Sequence, residues 1–359
     1  MTTIFIDTNI LMNDSFFRSS SAKAFLKACS FLKVQVVVPD IVMDELLGNF
    51  STRLQEKVNA YQKASRELVK LVDLDQSPPD VEAEVSAYED WLLELIEDNG
   101  LTVAPYPDVS AKELVSKSYE GAKPFKDGGE GHKDYLVWKS VAAHINAQET
   151  DASNCFLTNN TKDFCAKGDD GAFILHPELA EQVNVEARVP SIQTSLRNAF
   201  DNVLAPNLQG VTLEDIPEIG TDEVQAFVDK CLLDDLPQHS AFGFEGVPFS
   251  NDVSITSVGE AEIGNIELVK ADDEVFIKVS GTVEICVSGF MEKHEFYREM
   301  ESGLDVSVDD SDWNDHVMAV STYVDTAFEV RLFYSFESKE VAGYEISLPQ
   351  EIEDDWPYK

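Results

Sequence analysis

The stretch that decides the fold stands at the start of the chain: Thr3-Ile4-Phe5-Ile6-Asp7-Thr8-Asn9. The short apolar, β-branched run over residues 3–6 is typical of a buried central strand. It ends abruptly in three polar side chains, of which Asp7 is the first. Ligands of open parallel sheets bind just beyond the carboxyl ends of the strands, where Asp7 would lie. Asp7 could also cap a helix over residues 10–12, so this stretch alone leaves both roles open.

The length and composition fit a globular protein of two domains. The chain has 359 residues, and 43% of them are hydrophobic, which is enough for a large core. No apolar run is long enough to span a membrane, and no signal peptide precedes the first strand, so we expect a cytoplasmic protein. The five cysteines include no C-x-x-C pair, which favours free thiols over zinc ligands or disulfides.

The charge of the chain is large and unevenly distributed. It carries 27 basic and 67 acidic residues, a net charge of −40, which argues against broad nonspecific binding of nucleic acid. Residues 1–195 hold 18 Lys and Arg against 31 Asp and Glu, whereas residues 196–359 hold 9 against 36. A nucleic-acid site, if the chain has one, therefore belongs in the first half.

Strands and helices alternate through the first half, which predicts a parallel α/β sheet with helices on both faces. A helix is predicted over residues 22–31 and a second buried strand over residues 34–38. The short helix predicted next carries Glu45 about one turn from its start. Further strands are predicted at residues 155–158 and at residues 173–175, the latter as the last strand of the domain.

Two segments interrupt this alternation. Apolar spacing predicts a pair of helices over residues 51–72 and 81–97, which we interpret as an αα-hairpin inserted at about residues 51–99. Residues 111–133 are mostly polar and form the densest basic run of the chain. This run is either a solvated loop or a lid that contacts phosphate. Its candidate substrate-binding residues are Lys123, Lys126, His132 and Lys133, although His132 could equally be an exposed loop histidine.

The second half follows a different pattern. Residues 191–244 are predicted to be a helical linker region punctuated by prolines. Beyond about residue 245 the sequence reads as strands, and residues 279–287 alternate as in a half-exposed antiparallel sheet. We therefore expect an α/β domain over residues 1–190, the linker, and an acidic β-rich (α+β) domain over residues 245–359. The sequence assigns no task to this last domain.

Four carboxylates are expected to meet at one edge of the parallel sheet. Asp7 follows the first strand, Glu45 lies in the helix after the second, Asp134 opens a later helix, and Asp163 follows the strand at 155–158. Carboxylates so close together repel each other unless a cation is present. A hard divalent ion such as Mg²⁺ or Mn²⁺ takes oxygen ligands. Such a site suits phosphodiester hydrolysis without a nucleophilic side chain.

Four sequence blocks resemble, in the right order, the four motif blocks of PIN domains: residues 5–9, 38–46, 131–138 and 157–164. PIN domains are metal-dependent nucleases and include many bacterial toxin ribonucleases. The resemblance covers roughly residues 1–180. It implies a PIN-like, Rossmann-like parallel sheet, and the helical insertion and the second domain make the chain more similar to the longer stand-alone bacterial PIN proteins than to the compact toxins.

The resemblance also implies a site and an activity. The catalytic, metal-binding carboxylates would be Asp7, Glu45, Asp134 and Asp163, and the supporting polar residues Thr8, Asn9, Thr158 and Asn160. Asn160 could share or take over the role of Asp163. The implied activity is that of an endoribonuclease using Mg²⁺ or Mn²⁺, with one or two ions, as a toxin or in defence. Its partner would be RNA, with DNA also open.

Other functions fit the sequence less well. A haloacid-dehalogenase-type phosphatase needs a second Asp where Asn9 stands, and a dinucleotide enzyme needs a Gly-rich turn after the first strand. The serious alternative is a non-enzymatic scaffold on a PIN fold, whose acidic second half binds a partner protein. A protein inhibitor and a homo-oligomer are further associations that the sequence leaves open.

Overall fold

The computed structural model describes residues 2–72, 77–126, 128–148, 152–169, 171–216, 219–237, 239–244, 247–249, 252–300, 303 and 305–353. The chain divides into two compact units, Met1–Leu208 and Gln209–Lys359. We call them the N-terminal unit and the C-terminal unit. In the part of the chain that is described, no helix has both the length and the apolar surface needed to cross a membrane.

The N-terminal unit is built on a parallel sheet. The strands of this unit are β1 Thr2–Ile6, β2 Gln35–Pro39, β3 Thr102–Ala104, β4 Ser153–Leu157, β5 Cys165–Lys167, β6 Phe173–Leu175 and β7 Ser191–Gln193. Five of them form one sheet in the order β3-β2-β1-β4-β7, and every pairing in it is parallel. The central strand β1 is fully buried at Ile4, Phe5 and Ile6. The carboxyl ends of all five strands therefore share one edge.

Helices surround this sheet. They are α1 Thr8–Asn13, α2 Ser20–Leu32, α3 Asp40–Leu68, α4 Val81–Asp98, α5 Ala111–Glu120, α6 His132–Ala147, α7 Thr161–Phe164, α8 Pro177–Ala180 and α9 Leu196–Ala199. Short 3-10 turns lie at Glu186–Arg188 and Ala205–Asn207, and a π-helical turn at Phe200–Leu204. Several α-helices are capped at their start by a side chain that accepts a backbone N–H, as Ser19 does for α2, Asp80 for α4 and Ser110 for α5. The predicted parallel α/β fold is confirmed.

Several sequence predictions about single elements are wrong. The helix that carries Glu45 and the helix predicted from residue 51 are one continuous helix, α3, because an internal glycine such as Gly48 weakens a helix without ending it. Part of the predicted polar loop is helix α5, and α6 begins at His132, two residues before Asp134. Residues 173–175 do not close the sheet, since β6 pairs antiparallel with β5.

The last strand of the parallel sheet is β7, which pairs with β4. It lies in the stretch 191–244, which also contains α9, a helix at Thr221–Asp235 and short strands at Gln209–Val211 and Ser240–Phe242. The reason that β7 escaped prediction is its composition. Only its central residue, Ile192, is buried, so this edge strand has no apolar run to mark it.

The C-terminal unit is built on an antiparallel sheet of eight strands. They are β8 Gln209–Val211, β9 Ser240–Phe242, β10 Asp252–Ala271, β11 Glu274–Glu292, β12 Ser307–Asp310, β13 Val317–Ser335, β14 Glu340–Ser347 and β15 Glu351–Glu353. The three long strands are neighbours in the order β13-β11-β10. Helix α10 Thr221–Asp235 packs Val224, Val228 and Leu232 into the core of the sheet. A short helix α11 Lys293–Glu299 and a 3-10 turn Leu213–Asp215 complete the unit. The predicted β-rich character is confirmed.

Candidate active site

Asp7 lies at the carboxyl end of the central strand β1, and its side chain is buried. One carboxylate oxygen, Oδ1, accepts the backbone N–H of Thr8 at 2.8 Å and so caps α1. The other oxygen, Oδ2, accepts hydrogen bonds from the Thr158 hydroxyl at 2.7 Å and the Asn9 side-chain amide at 2.8 Å. Asp7 therefore caps α1, as one of the two roles left open by the sequence requires, and its other oxygen is held at the strand end by two hydrogen-bond donors.

Glu45 faces Asp7 across the first turn of α1. It lies in the second turn of α3, where its Oε2 accepts a hydrogen bond from the Thr8 hydroxyl at 2.7 Å. Its other oxygen, Oε1, forms an ion pair with the Lys133 ammonium group at 2.9 Å. Thr8 therefore links the end of β1 to α3, since its backbone N–H donates to Asp7 and its hydroxyl donates to Glu45.

The other two carboxylates are placed by α6 and α7. Asp134 is in the first turn of α6, and its Oδ1 accepts a hydrogen bond from the Asn160 side-chain amide at 3.1 Å. Asp163 is buried in α7, and its Oδ2 lies 3.0 Å from the Lys126 ammonium nitrogen. Asn160, directly before α7, thus reaches the carboxylate of the neighbouring helix.

Thr158 joins the two sides of the site. Its hydroxyl donates to Asp7 and accepts the backbone N–H of Asn160 at 3.1 Å. Asn9 and Asn159 make a second link, since Asn9 Oδ1 accepts the Asn159 backbone N–H at 3.2 Å. A continuous hydrogen-bonded path therefore runs from Glu45 through Asp7 to Asp134. The structure brings together at one sheet edge all four predicted carboxylates and all four predicted supporting residues.

The electrostatics of the site favour a cation. The pKa of Asp7 is raised from 3.8 to about 7. Burial is the main cause, the carboxylates of Asp134 and Glu45 add to it, and the hydrogen bonds from Thr158 and Thr8 oppose it. Burial also raises the pKa of Asp134, followed by the charge of Asp163 and, more weakly, of Glu45. Both shifts show that negative charge in this site is incompletely compensated.

Two of the predicted substrate-binding lysines contact these carboxylates directly. Lys133 pairs with Glu45 and Lys126 with Asp163. The ammonium group of Lys123 donates to the backbone carbonyl of Lys162 at 2.9 Å, next to Asp163. The fourth residue, His132, packs its ring edge-on against Phe125 at 5.3 Å between ring centroids.

The donor set matches a hard divalent ion in chemical type. It offers carboxylate, hydroxyl and amide oxygens, which are the ligands that Mg²⁺ and Mn²⁺ prefer. Among the described residues, however, no three His, Cys, Asp or Glu side chains converge on a single point. Asp7 and Asp134 are held by hydrogen bonds, whereas Glu45 and Asp163 are paired with lysines. Holding one ion among all four would require Glu45 and Asp163 to turn away from their lysines.

One residue beside the site was not among the residues predicted from the sequence. Tyr106 follows β3, and its phenol donates a hydrogen bond to Asp44 on α3. This bond, partial burial, and the charges of Asp44, Asp40 and Glu45 raise the pKa of Tyr106 to about 12. The ring is 46% exposed. The signal that could have revealed it is an aromatic residue between two prolines, Pro105 and Pro107, directly after a strand.

Comparison with known proteins agrees with this geometry. Residues 4–164 match the family model described as PIN domain. The matched segment runs from β1 to α7 and contains all four carboxylates. No curated protein matches the chain, and no solved structure does.

Proposed function

Because residues 4–164 form a PIN domain, a fold generally found in metal-dependent nucleases, we propose that this protein is a metal-dependent endoribonuclease. The observation that supports this most strongly is the hydrogen-bonded carboxylate set at one edge of the parallel sheet. Burial, and after it the neighbouring carboxylates, raises the pKa of Asp7 and of Asp134. Their negative charge is therefore costly in this site, and a divalent cation would relieve that cost.

In this proposal Asp7 and Asp134 chiefly hold the ion, and Glu45 and Asp163 complete or orient the site. When bound, Mg²⁺ or Mn²⁺ neutralises charge on the phosphodiester and makes water a better nucleophile near neutral pH. The protein supplies the positioning. Thr158 fixes the carboxylate of Asp7, and Asn160 fixes that of Asp134, so both present their oxygens from rigid strand and helix ends.

The lysines have the substrate-binding role. Lys126 and Lys133 neutralise Asp163 and Glu45, and their side chains are about half exposed or more. Were Glu45 and Asp163 to hold a cation, these ammonium groups would be free to contact phosphate oxygens. The lysines that compensate the carboxylates in the metal-free site would then compensate the phosphates of the substrate instead.

RNA as substrate, a 5′-phosphate product and a toxin or defence role belong to the same proposal and rest on the PIN family. A cytoplasmic location and a protein inhibitor that restrains the activity complete it. The rival function, a scaffold on a PIN fold, differs in predicting no cleavage.

The test incubates the full chain with end-labelled RNA and DNA of the same sequence, in Mn²⁺, in Mg²⁺ and in EDTA. We expect RNA to be cut in the presence of either ion, leaving 5′-phosphate ends, and to stay intact in EDTA or with Asp7→Asn. The matched control is Asp108→Asn, which removes an exposed loop carboxylate of the same unit and should leave cleavage unchanged. Cleavage that survives both EDTA and Asp7→Asn would refute the metal mechanism. Intact RNA and DNA under every condition would favour the scaffold.

A further inference from the structure

Three of the aromatic rings that the described residues of the C-terminal unit expose belong to its sheet or to a turn between its strands. Phe290 on β11 is 44% exposed, Trp313 in the turn between β12 and β13 is 58% exposed, and Tyr323 on β13 is 64% exposed. Phe290 and Trp313 contact each other, with 5.0 Å between ring centroids. Large rings of this kind are usually buried, so their exposure together requires an explanation.

The strand register places Phe290 and Tyr323 on one face of the sheet, and Trp313 contacts Phe290 there. Phe290 stands opposite Ala319, Ser288 opposite Ser321, and Cys286 opposite Tyr323. Alternate residues of a strand point to the same face, so these three pairs form a row about 13 Å long, with aromatic rings at both ends. The residues of β11 that alternate with this row, including Ile285, Val287 and Met291, point to the opposite face and are buried. We call the exposed side the aromatic–acidic face.

A carboxylate occupies the middle of this row. Strand β12 bulges at Asp309, because Val308 pairs with Val320 but Asp310 pairs with Ala319. A bulge redirects the side chain of the extra residue. Here the Asp309 carboxylate accepts hydrogen bonds from the hydroxyls of Ser321 at 2.8 Å and Ser288 at 3.4 Å. A negative charge is thus held between the two aromatic ends.

The turn that carries Trp313 is held by its own side chains. Asp310 Oδ1 accepts the backbone N–H of Asp312 at 2.8 Å. Asn314 Oδ1 accepts the backbone N–H groups of His316 at 2.8 Å and Val317 at 2.7 Å. Trp313 is therefore presented by a pre-organised turn, which lowers the entropy cost of using its ring in binding.

The charge of the segment around these rings indicates what kind of partner binds there. Residues 305–325 contain six aspartates and no lysine or arginine. Such a face repels nucleic acid and attracts cations. Aromatic rings beside a fixed carboxylate suit guanidinium groups, which stack on rings and bond carboxylates in the plane of their N–H donors.

We propose that the aromatic–acidic face binds an extended, arginine-rich segment of a partner protein. The row of three residue pairs accommodates about five residues of such a segment. One guanidinium stacks on Phe290 and Trp313, one bonds Asp309, and one stacks on Tyr323. This inference does not depend on the nuclease proposal, because it concerns only residues of the C-terminal unit.

The test uses fluorescein-labelled 12-residue peptides in which serine alternates with arginine, lysine or glutamate. Fluorescence anisotropy with the full chain is expected to show binding of the arginine peptide, weaker binding of the lysine peptide and none of the glutamate peptide. Trp313→Ala and Tyr323→Ala should each weaken binding of the arginine peptide about 3- to 30-fold, the size of one or two cation–π contacts. Asp309→Asn should weaken it as well.

Glu340→Gln is the matched control for Asp309→Asn, because Glu340 is an exposed carboxylate paired with the opposite end of β13. It should change the affinity less than twofold. An equal loss with Glu340→Gln, or full affinity in both aromatic variants, would overturn the proposal by showing diffuse attraction to an acidic protein. Sedimentation of the chain alone provides a further test, since self-association abolished by Trp313→Ala would make a second copy the occupant instead.

Discussion

Replacing Asp7 with asparagine is expected to stabilise the metal-free protein at pH 8 and to leave its stability almost unchanged at pH 5. Asp7 has a pKa of about 7 in the folded protein, against 3.8 for an ordinary aspartate, and burial is the main cause. At pH values between these two pKa values, the folded state therefore binds more protons than the unfolded state. The free energy of unfolding accordingly falls as the pH rises from about 4 and stops falling above about 7.

The size of the effect follows from the same two pKa values. A rise in the pKa from 3.8 to about 7 corresponds to about 4 kcal/mol of stability lost by the wild type at pH 8, and to about 2 kcal/mol at pH 5. Asparagine carries no charge and avoids this loss. Its amide oxygen can keep the Thr8 N–H bond. Its NH₂ group, however, meets the Asn9 amide donor and the Thr158 hydroxyl, which must turn to accept, and this costs about 1.5 kcal/mol. The net gain is then about 3 kcal/mol at pH 8 and near zero at pH 5.

The assay is urea unfolding in EDTA at several pH values between 5 and 8. The sequence has an isoelectric point of about 4.2, so more acidic solutions would favour precipitation. Substituting Trp313 and Trp356 by phenylalanine in every variant leaves Trp91 and Trp138 to report on the N-terminal unit. This separation matters because two units need not unfold in one transition.

Asp108→Asn is again the matched control, and it should change the free energy of unfolding by less than about 0.5 kcal/mol at every pH. The reasoning is refuted if Asp7→Asn has the same effect at pH 5 and pH 8, or if it destabilises the protein at pH 8. Either result would mean that the carboxylate of Asp7 is well compensated in the metal-free protein, and the case for a cation at this sheet edge would lose its electrostatic basis.

Three further perturbations address the neighbours of Asp7. Lys133→Met removes the cation paired with Glu45. We expect calorimetry to show Mn²⁺ binding up to about fivefold more tightly, and RNA to bind more weakly. An unchanged Mn²⁺ affinity would show that the lysine does not compete with the ion. Thr158→Val deletes a hydroxyl that donates to Asp7 and accepts from a backbone N–H, and should cost about 2–3 kcal/mol in unfolding free energy, whereas Thr158→Ser should cost less than half of that. Tyr106→Leu, assayed by RNA anisotropy in the Asp7→Asn background, should weaken single-stranded RNA binding about tenfold if the ring stacks on a base, and Tyr106→Phe should not.

The sheet edge that carries the site could be predicted because its geometry follows from simple rules. Buried parallel strands need apolar, β-branched runs, and residues 3–6 and 34–38 provide them. Once the strands are parallel, their carboxyl ends meet, and the polar residue that follows each strand must lie at that edge. Asp7 and Thr158 are placed by this rule alone, and they are hydrogen bonded to each other.

What could not be predicted lacks such a rule. Strand β7 buries a single side chain, so its sequence is indistinguishable from a loop. The lysine pairs depend on the rotamers of long, flexible side chains, which residue spacing does not determine. Tyr106 reaches the site through Asp44, a residue on the exposed side of the same helix turn as Glu45, and no periodicity connects the two. In each case tertiary packing decides, and it leaves no local pattern.

The lysine pairs also resolve an apparent conflict between the charge of the chain and its proposed substrate. A protein of net charge −40 should repel RNA, and the two lysines nearest the site are already paired with Glu45 and Asp163. If Glu45 and Asp163 held a divalent cation, Lys133 and Lys126 would be free to contact phosphate oxygens while the site gained positive charge. Binding of the cation and of RNA would then reinforce each other, and by linkage the factor must be the same in both directions. Lys133→Met separates the two effects, because tighter binding of Mn²⁺ together with weaker binding of RNA is a combination that a purely structural lysine would not produce.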